Sequence, residues 1–444
     1  MTMTRKDFEK EFHSRTLAYL PDFRDEGRPV VILVGPDAHH PNGHALLTTL
    51  VNQLARAHRR IVVVGDLAGP LRCRDVFGFG TLERATVGLA RAINPFIEIV
   101  VSSAVPEDAL IVLGVGSGDA EVPLGCDGWC AVIGPAAEID RRAQGLWGAL
   151  FAACLGAAVA FHRQRGVRSD GSGRYSLWRL GTDDQGPPFA GPIDVGRVLQ
   201  VGAGAVGIAL DHFLALVGLE GAWRIVDGDV VDVTNLNRQM LFLAIDAGFP
   251  EGKAANKAER AAALLGRVAT PSPVLYHTDE VARDNPYDLV LALANLDGVR
   301  AQLQQRQPTV LLHATTGPAW EVFLHRHIAG RDDCIVCRID ETAIPQFICA
   351  EGEVQGPTGV FDAALPFLSA TAGLLLASAL AKLHLGVLAG GDGNFSRVNM
   401  AAPQPLFAVW SKECRPECHQ RLPAARRALI DRDSRFLDLD PEAG

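Results

Sequence analysis

The stretch RVLQVGAGAVG, residues 197–207, decides the fold. Val198, Leu199 and Val201 make a short apolar strand, and Gly202, Gly204 and Gly207 follow it at G-x-G-x-x-G spacing. An apolar helical run from about Val206 to Val217 comes next. Strand, glycine loop and helix in that order open a parallel βαβ unit. The glycines let backbone approach a phosphate, whose charge the helix N-terminus favours. Asp227 ends the next strand, WRIVD, twenty residues after Gly207, where a carboxylate can accept from ribose hydroxyls.

Beyond that acid runs VDGDVVDVTNLNRQ (226–239), three aspartates followed by amides and a cation. A dehydrogenase binding NAD would use the glycine loop and Asp227, but it needs no cation here, because its phosphates do not react. Breaking an α–β phosphate bond does call for positive charge on the departing pyrophosphate. Arg238 offers a planar fork for phosphate oxygens, and Lys257, in GKAANKAERAAALL, a point charge. The pattern therefore favours adenylyl transfer over hydride transfer.

The run D-G-D-V-V-D-V-T-N-L-N-R-Q after G-A-G-A-V-G closely resembles the E1 superfamily. That family comprises ubiquitin-like-protein activating enzymes and the sulfur-carrier adenylyltransferases ThiF and MoeB. The resemblance covers about residues 196–420. It implies ATP- and Mg²⁺-dependent activation of the C-terminal glycine of a small β-grasp protein as an acyl-adenylate. By matched position Asp227, with Asp229 beside it, would hold the ribose, and Asn235, Arg238, Gln239 and Lys257 would surround the triphosphate. Lys257 is preferred to Lys253 because K-A-E-x-A-A aligns best with the family helix. The family's Mg²⁺ aspartate lies five residues before an arginine, and counting back from Arg300 gives Asn295; Asp297 is the alternative ligand.

The first half repeats the punctuation without the chemistry. VVILVG (30–35), RIVVVGD (60–66), ALIVLGVG (109–116) and WCAVIG (129–134) read as parallel strands, with a helix from about Gly43 to Ala57. In the second half VLYHT and YDLVLALA continue the series. GPDAHHPNGH is no ordered glycine loop, and no NLNRQ follows VVVGD. TLERATVGLARAINPFIEIVV resembles the E1 helix ending in Asn-Pro. The expected fold is α/β: two Rossmann-like E1 adenylation domains, one inactive (1–162) and one active (193–444), forming a pseudo-dimer. The Gly/Pro/charge-rich segment 163–192 reads as a linker. In homodimeric relatives an arginine near one subunit's N-terminus reaches the other's ATP; Arg15 would be its counterpart.

Cys334-Ile-Val-Cys337 and Cys414-Arg-Pro-Glu-Cys418 give two close pairs, the makings of a tetrahedral Zn²⁺ site. The sulfur-carrier activators have such a structural site at corresponding places, with His419 an alternative to Cys418. Cys349 resembles the family's crossover-loop cysteine, which accepts the acyl group as a thioester; thiolates suit that task as nucleophile and leaving group. Only sixteen residues separate Cys349 from Pro366, leaving no room for a separate cysteine domain, and only a short tail follows Cys418. A compact E1 of the kind found in bacterial Bil-type conjugation systems is the nearest relative by resemblance. It implies a ubiquitin-like partner ending in glycine and an E2-like acceptor; a ThiF/MoeB-like sulfur-carrier adenylyltransferase is the alternative.

Composition agrees. The 444 residues exceed what one core usually organises, and 48% are hydrophobic. A formal charge of −9 without basic runs argues against a nucleic-acid partner. Nine cysteines and a charged N-terminus fit a reducing cytoplasm. The apolar stretches 145–161 and 365–390 are expected as buried helices, with no membrane partner.

Overall fold

The computed structural model describes residues 3–19, 27–142, 145–168, 171–182, 186–284, 287–295, 298–306, 308–317, 319–329, 331–338, 365–388 and 393–415. Its central strands are the β-branched runs of the sequence. In the first half β1 (Val30–Val34), β2 (Arg60–Gly65), β3 (Glu98–Ser102), β4 (Ile111–Val115), β5 (Val122–Asp127), β6 (Cys130–Ile133) and β7 (Gly173–Ser176) form one sheet, in the order β3-β2-β1-β4-β5-β6-β7. The second sheet holds β8 (Arg197–Val201), β9 (Ala222–Val226), β10 (Ala269–Ser272), β11 (Leu289–Ala292), β12 (Val310–Gly317), β13 (Glu321–Ile328), β14 (Phe395–Asn399) and β15 (Leu406–Trp410). Its order is β10-β9-β8-β11-β12-β13-β14-β15.

Both sheets share one Rossmann-like plan. Their first five strands are parallel and antiparallel strands extend the far edge. Strand order reverses between β1 and β4, and again between β8 and β11. In such sheets ligands sit at the carboxyl ends of the strands where the order reverses, which points to the end of β8.

The helices are α1 (Arg5–Tyr19), α2 (Pro41–Ala57), α3 (Leu89–Ile93), α4 (Trp147–Gln164), α5 (Ala205–Val217), α6 (Lys257–Leu265), α7 (Glu280–Asp284), α8 (Val299–Gln305), α9 (Ile335–Arg338) and α10 (Pro366–His384). α4 lies on β5 and β6, α10 lies on β12 and β13, and the two helices touch each other. α2 packs on α4, and α5 on α10. One apolar cluster consequently runs through both halves, from Phe8 to Met400. A Cβ on Gly373 of α10 would fall 2.5 Å from the Leu210 nitrogen of α5, so only glycine permits that crossing. By length and composition α10 could cross a membrane, yet 94% of the qualifying window is buried inside the protein. α1 joins the halves: Phe8 meets Phe96 at 5.4 Å and Phe249 at 4.8 Å, ring centre to ring centre.

Three expectations need correction. The segment 163–192 is not simply a linker. Gly173–Ser176 is β7, paired antiparallel with β6, and Trp178 and Phe189 pack against Trp129 and Trp147. Its glycines and charges had concealed a short edge strand. WCAVIG is antiparallel to its neighbour because Gly128 and Trp129 form a two-residue hairpin loop after β5, with Gly128 at φ +58°. VLYHT is not a strand either: the ladder with β9 stops at Ser272. Tyr276–Thr278 winds into a 3₁₀ turn instead.

Candidate nucleotide site

The turn from β8 into α5 is shaped by its glycines. Gly202 has φ +108°, and a Cβ there would lie 2.5 Å from the Ala294 nitrogen at the end of β11. A Cβ on Gly207 would come within 2.4 Å of the Gly202 oxygen, so strand and helix meet at backbone distance. Gly204, the N-cap of α5, faces open space. Asp227 braces the same turn, its Oδ2 accepting from the Ala203 N–H at 2.6 Å and its Oδ1 from the Asp229 N–H at 2.9 Å. Burial raises the Asp227 carboxyl above its usual range, against the lowering effects of Lys257 and the two backbone N–H groups.

The loop beyond Asp227 is held by its own side chains. Asp232 caps the 3₁₀ turn Val233–Asn235 by accepting from the Thr234 N–H, while Asn235 Oδ1 accepts from the Asp232 N–H at 3.1 Å. Arg238 donates from Nη1 to the Thr234 oxygen at 2.5 Å and to Asn237 Oδ1 at 3.0 Å. Gln239 is 2% exposed, and its Oε1 has no hydrogen-bond partner among the described residues.

Lys257 is the first residue of α6, whose cap Asn256 donates to the Asp227 and Asp229 oxygens at 3.1 and 3.0 Å. Lys257 Nζ pairs with Asp229 Oδ2 at 2.8 Å, whereas Lys253 is exposed. Asp227, Asp229 and Lys257 thus form one charged group beside the glycine turn, with Arg238 and Gln239 on the loop leading away from it. Asn256 was missed by the sequence reading, although a cap asparagine before an acidic first turn was legible there.

α1 packs on the 233–235 turn, and Thr16 Oγ1 accepts from Asn237 Nδ2 at 3.2 Å. Arg15, its neighbour, is half-buried on α1. Asn295 is exposed just beyond β11, its Oδ1 accepting from Arg300 at 3.4 Å. Asp297 lies outside the described residues. A lone amide that already accepts from a guanidinium is a weak Mg²⁺ ligand, so Asn295 by itself does not make that ion's site.

Farther along the chain Cys334, Cys337 and Cys414 converge, their sulfurs all within 4.8 Å of one another. The Cys334 N–H donates to the Cys414 sulfur at 3.1 Å, and the Cys337 N–H to the Cys334 sulfur at 3.4 Å. Around them Asp333 pairs with Arg338 and lies 3.4 Å from His325 Nε2, and Gln304 Oε1 accepts from the Ile335 N–H. Three clustered sulfurs, two of them accepting from backbone N–H groups, suit a thiophilic ion, with Cys334, Cys337 and Cys414 as ligands. Cys418, His419 and Cys349 lie outside the described residues.

Residues 187–312 match the ThiF family, and residues 29–179 match the BilD N-terminal domain. The second half thus carries a ThiF-family domain. An uncharacterized protein of Sinorhizobium fredii, y4jF, is 28% identical over 342 residues, 72% of this chain and 62% of that one. The sulfur carrier protein adenylyltransferase of Thermus thermophilus is 28% identical over 199 residues, 43% of this chain and 69% of its own. The NEDD8-activating enzyme E1 catalytic subunit of Dictyostelium discoideum is 34% identical over 109 residues, 24% of this chain and 23% of its own. The chain thus spans less than two thirds of the length of the first curated relatives it matches. Among solved structures, E. coli MccB with ATP is similar at 14% identity and a TM-score of 0.40, over 69% of this chain and 98% of that one.

Proposed function

We propose that this chain is a ubiquitin-like-modifier activating enzyme that uses ATP to adenylate the C-terminal glycine of a β-grasp partner. The observation that carries the reading is the gathering of Asp227, Asp229 and Lys257 beside the Gly202–Gly207 turn, with Arg238 and Gln239 on the adjoining loop. A ribose is recognised by a carboxylate, a phosphate by backbone N–H groups at a helix N-terminus, and a departing pyrophosphate by cations. The partner's carboxylate oxygen attacks the α-phosphorus and the bond to pyrophosphate breaks. In the second step the Cys349 thiolate attacks the acyl carbon and AMP leaves, forming a thioester from which an E2-like protein takes the modifier. Mg²⁺ is expected to accompany ATP, with Asn295 or Asp297 toward it. Zn²⁺ on Cys334, Cys337, Cys414 and Cys418 would fasten α9 to the chain after β15. Four thiolates leave no open position for catalysis.

In the same reading the first half, about 1–162 and extended through β7, is an inactive counterpart of the active half, and the two form a pseudo-dimer. The matching strand orders support this, and so does the loop after β1. There the chain folds into a 3₁₀ turn, Pro36–Ala38, against Gly116. A Cβ on Gly35 would lie 2.0 Å from the Gly116 oxygen, the same close approach that Gly202 makes to Ala294, but α2 begins only at Pro41, after the 3₁₀ turn, whereas α5 follows its glycine turn directly. Arg15 on α1 is the candidate to reach the phosphates from the first half. The described cysteines are all free of disulfides, in keeping with a cytoplasmic protein.

The sulfur-carrier alternative is favoured by one observation, the 69% of the Thermus adenylyltransferase that aligns with this chain. Pyrophosphate exchange into ATP, dependent on a β-grasp protein ending in glycine, tests the first step. NADH turnover in its place would overturn the assignment. A reductant-sensitive adduct between chain and modifier then separates the E1 reading from the sulfur-carrier one, in which the adenylate forms without it.

A further inference from the structure

Arg56 lies on α2 of the first half and is completely buried. Its donors go to the backbone of the other half. Nη1 donates to the Leu236 oxygen, and Nη2 to the oxygens of Met240 at 2.9 Å and Phe242 at 3.1 Å. Nε donates to Asn52 Oδ1 at 2.9 Å, and Asn52 Nδ2 donates to the same Met240 oxygen at 3.1 Å. A guanidinium withdrawn from water is costly unless its N–H groups are matched. Here three carbonyls of one loop do the matching, and only one loop conformation brings all three to a single planar fork. That loop carries Arg238 and Gln239 between the first carbonyl and the second. Lysine could not substitute: its three donors radiate from one atom and cannot span three separated oxygens while bonding Asn52.

We propose that Arg56 and Asn52 are positioning residues of the nucleotide site, through which the first half sets the phosphate-facing loop of the second. The inference rests on the reading that Arg238 and Gln239 face ATP's phosphates. Arg56 acts through the loop and touches no nucleotide. It gives the first half a task that does not require a nucleotide site of its own. Because Asp227 directly follows β9, outside the clamped segment, the clamp should affect binding of the terminal phosphates and leave recognition of the ribose alone.

The test is calorimetric titration of the full chain with Mg²⁺–ATP and with AMP, for wild type, R56K and, as a control, L50A. Leu50 is buried on the same helix but faces Gly156 of α4, so its truncation loosens the first half without touching the clamp. R56K is expected to weaken ATP about tenfold, the scale of one charge-assisted hydrogen-bond set, with AMP changed less than about twofold. In the nucleotide-free protein, the amides of Leu236, Arg238, Gln239 and Phe242 should exchange with deuterium faster in R56K, while L50A leaves them and the ATP-to-AMP ratio unchanged. An unaltered ratio and unaltered exchange in R56K would overturn the proposal. Should R56K not fold, Asn52→Ala is read by the same two measurements. If wild type binds no ATP, the nucleotide reading itself fails and takes this role with it; faster exchange in R56K would then mark Arg56 as a structural clamp only.

Discussion

Replacing Asp211 with asparagine should stabilise the protein above about pH 5, and the gain should grow with pH. Asp211 sits on α5, one turn behind the glycine loop, and is fully buried. Its Oδ2 accepts from Gln200 Nε2 at 3.1 Å, and its Oδ1 has no hydrogen-bond partner among the described residues. Burial pushes this carboxyl from 3.8 up to about 8, with the Gln200 bond acting weakly the other way. For an acid whose folded value is raised, the stability it contributes is fully present below the unfolded value, near pH 4. It is lost as pH climbs through the folded value. Between those limits the loss runs at about 1.4 kcal/mol per pH unit and totals roughly 6 kcal/mol if the whole shift is realised. Asparagine has the same shape, keeps an oxygen for Gln200 and titrates in neither state, so the variant escapes the loss. The assay is urea unfolding of both proteins at pH 5, 6, 7 and 8. His212, whose imidazole burial pulls down to about 3, titrates in the opposite sense in both proteins, so its contribution largely cancels in the difference. A difference that stays flat with pH, or a variant less stable at pH 8, would refute the reasoning.

Arg238→Ala should lower pyrophosphate exchange on the order of 10²-fold or more while leaving the fold intact, because the lost fork acts on charge that develops only as pyrophosphate departs; equal exchange in both proteins would contradict it. Metal analysis of chain purified without chelator should find one zinc per chain, and Cys414→Ser should lower both zinc content and unfolding temperature before it changes ATP chemistry. Cys349→Ala should retain exchange and lose the reductant-sensitive adduct with the modifier on a non-reducing gel, whereas Lys257→Ala should lose both.

How much of this could be read from the chain depended on how local the signal was. The β8 strand, the glycine turn, Asp227 and the helix behind them are consecutive, and each residue type has one physical reason to stand where it does. Lys257 was preferred to Lys253 from helix alignment; in the structure it pairs with Asp229 beside the glycine turn. β7 was missed because four residues at a sheet edge, GRYS, carry too little alternation to stand out among glycines and charges. β10 was misplaced because the apolar residues after Ser272 seemed to extend a ladder that stops there, and they wind into a 3₁₀ turn instead. Arg56 was beyond reach altogether: it meets its loop across 180 positions, and nothing in ARAHRR distinguishes a buried arginine from its exposed neighbours.

The described cysteines narrow where a thioester can form. Burial raises the thiols of Cys73, Cys126 and Cys154 to about 12, and that of Cys130 upward as well, so at neutral pH almost none of each is the thiolate that attacks an acyl-adenylate. Cys334, Cys337 and Cys414 lie together with backbone N–H groups on two of their sulfurs, an arrangement that would commit them to a metal. Two thiols remain, Cys349 and Cys418. If Cys418 completes the metal set, Cys349 is left as the acceptor by chemistry as well as by resemblance. If His419 completes it, Cys418 becomes a second candidate. An adduct that persists in Cys349→Ala would therefore point to Cys418 rather than to Cys73 or Cys154, and the zinc content of Cys418→Ser decides which of the two duties that residue performs.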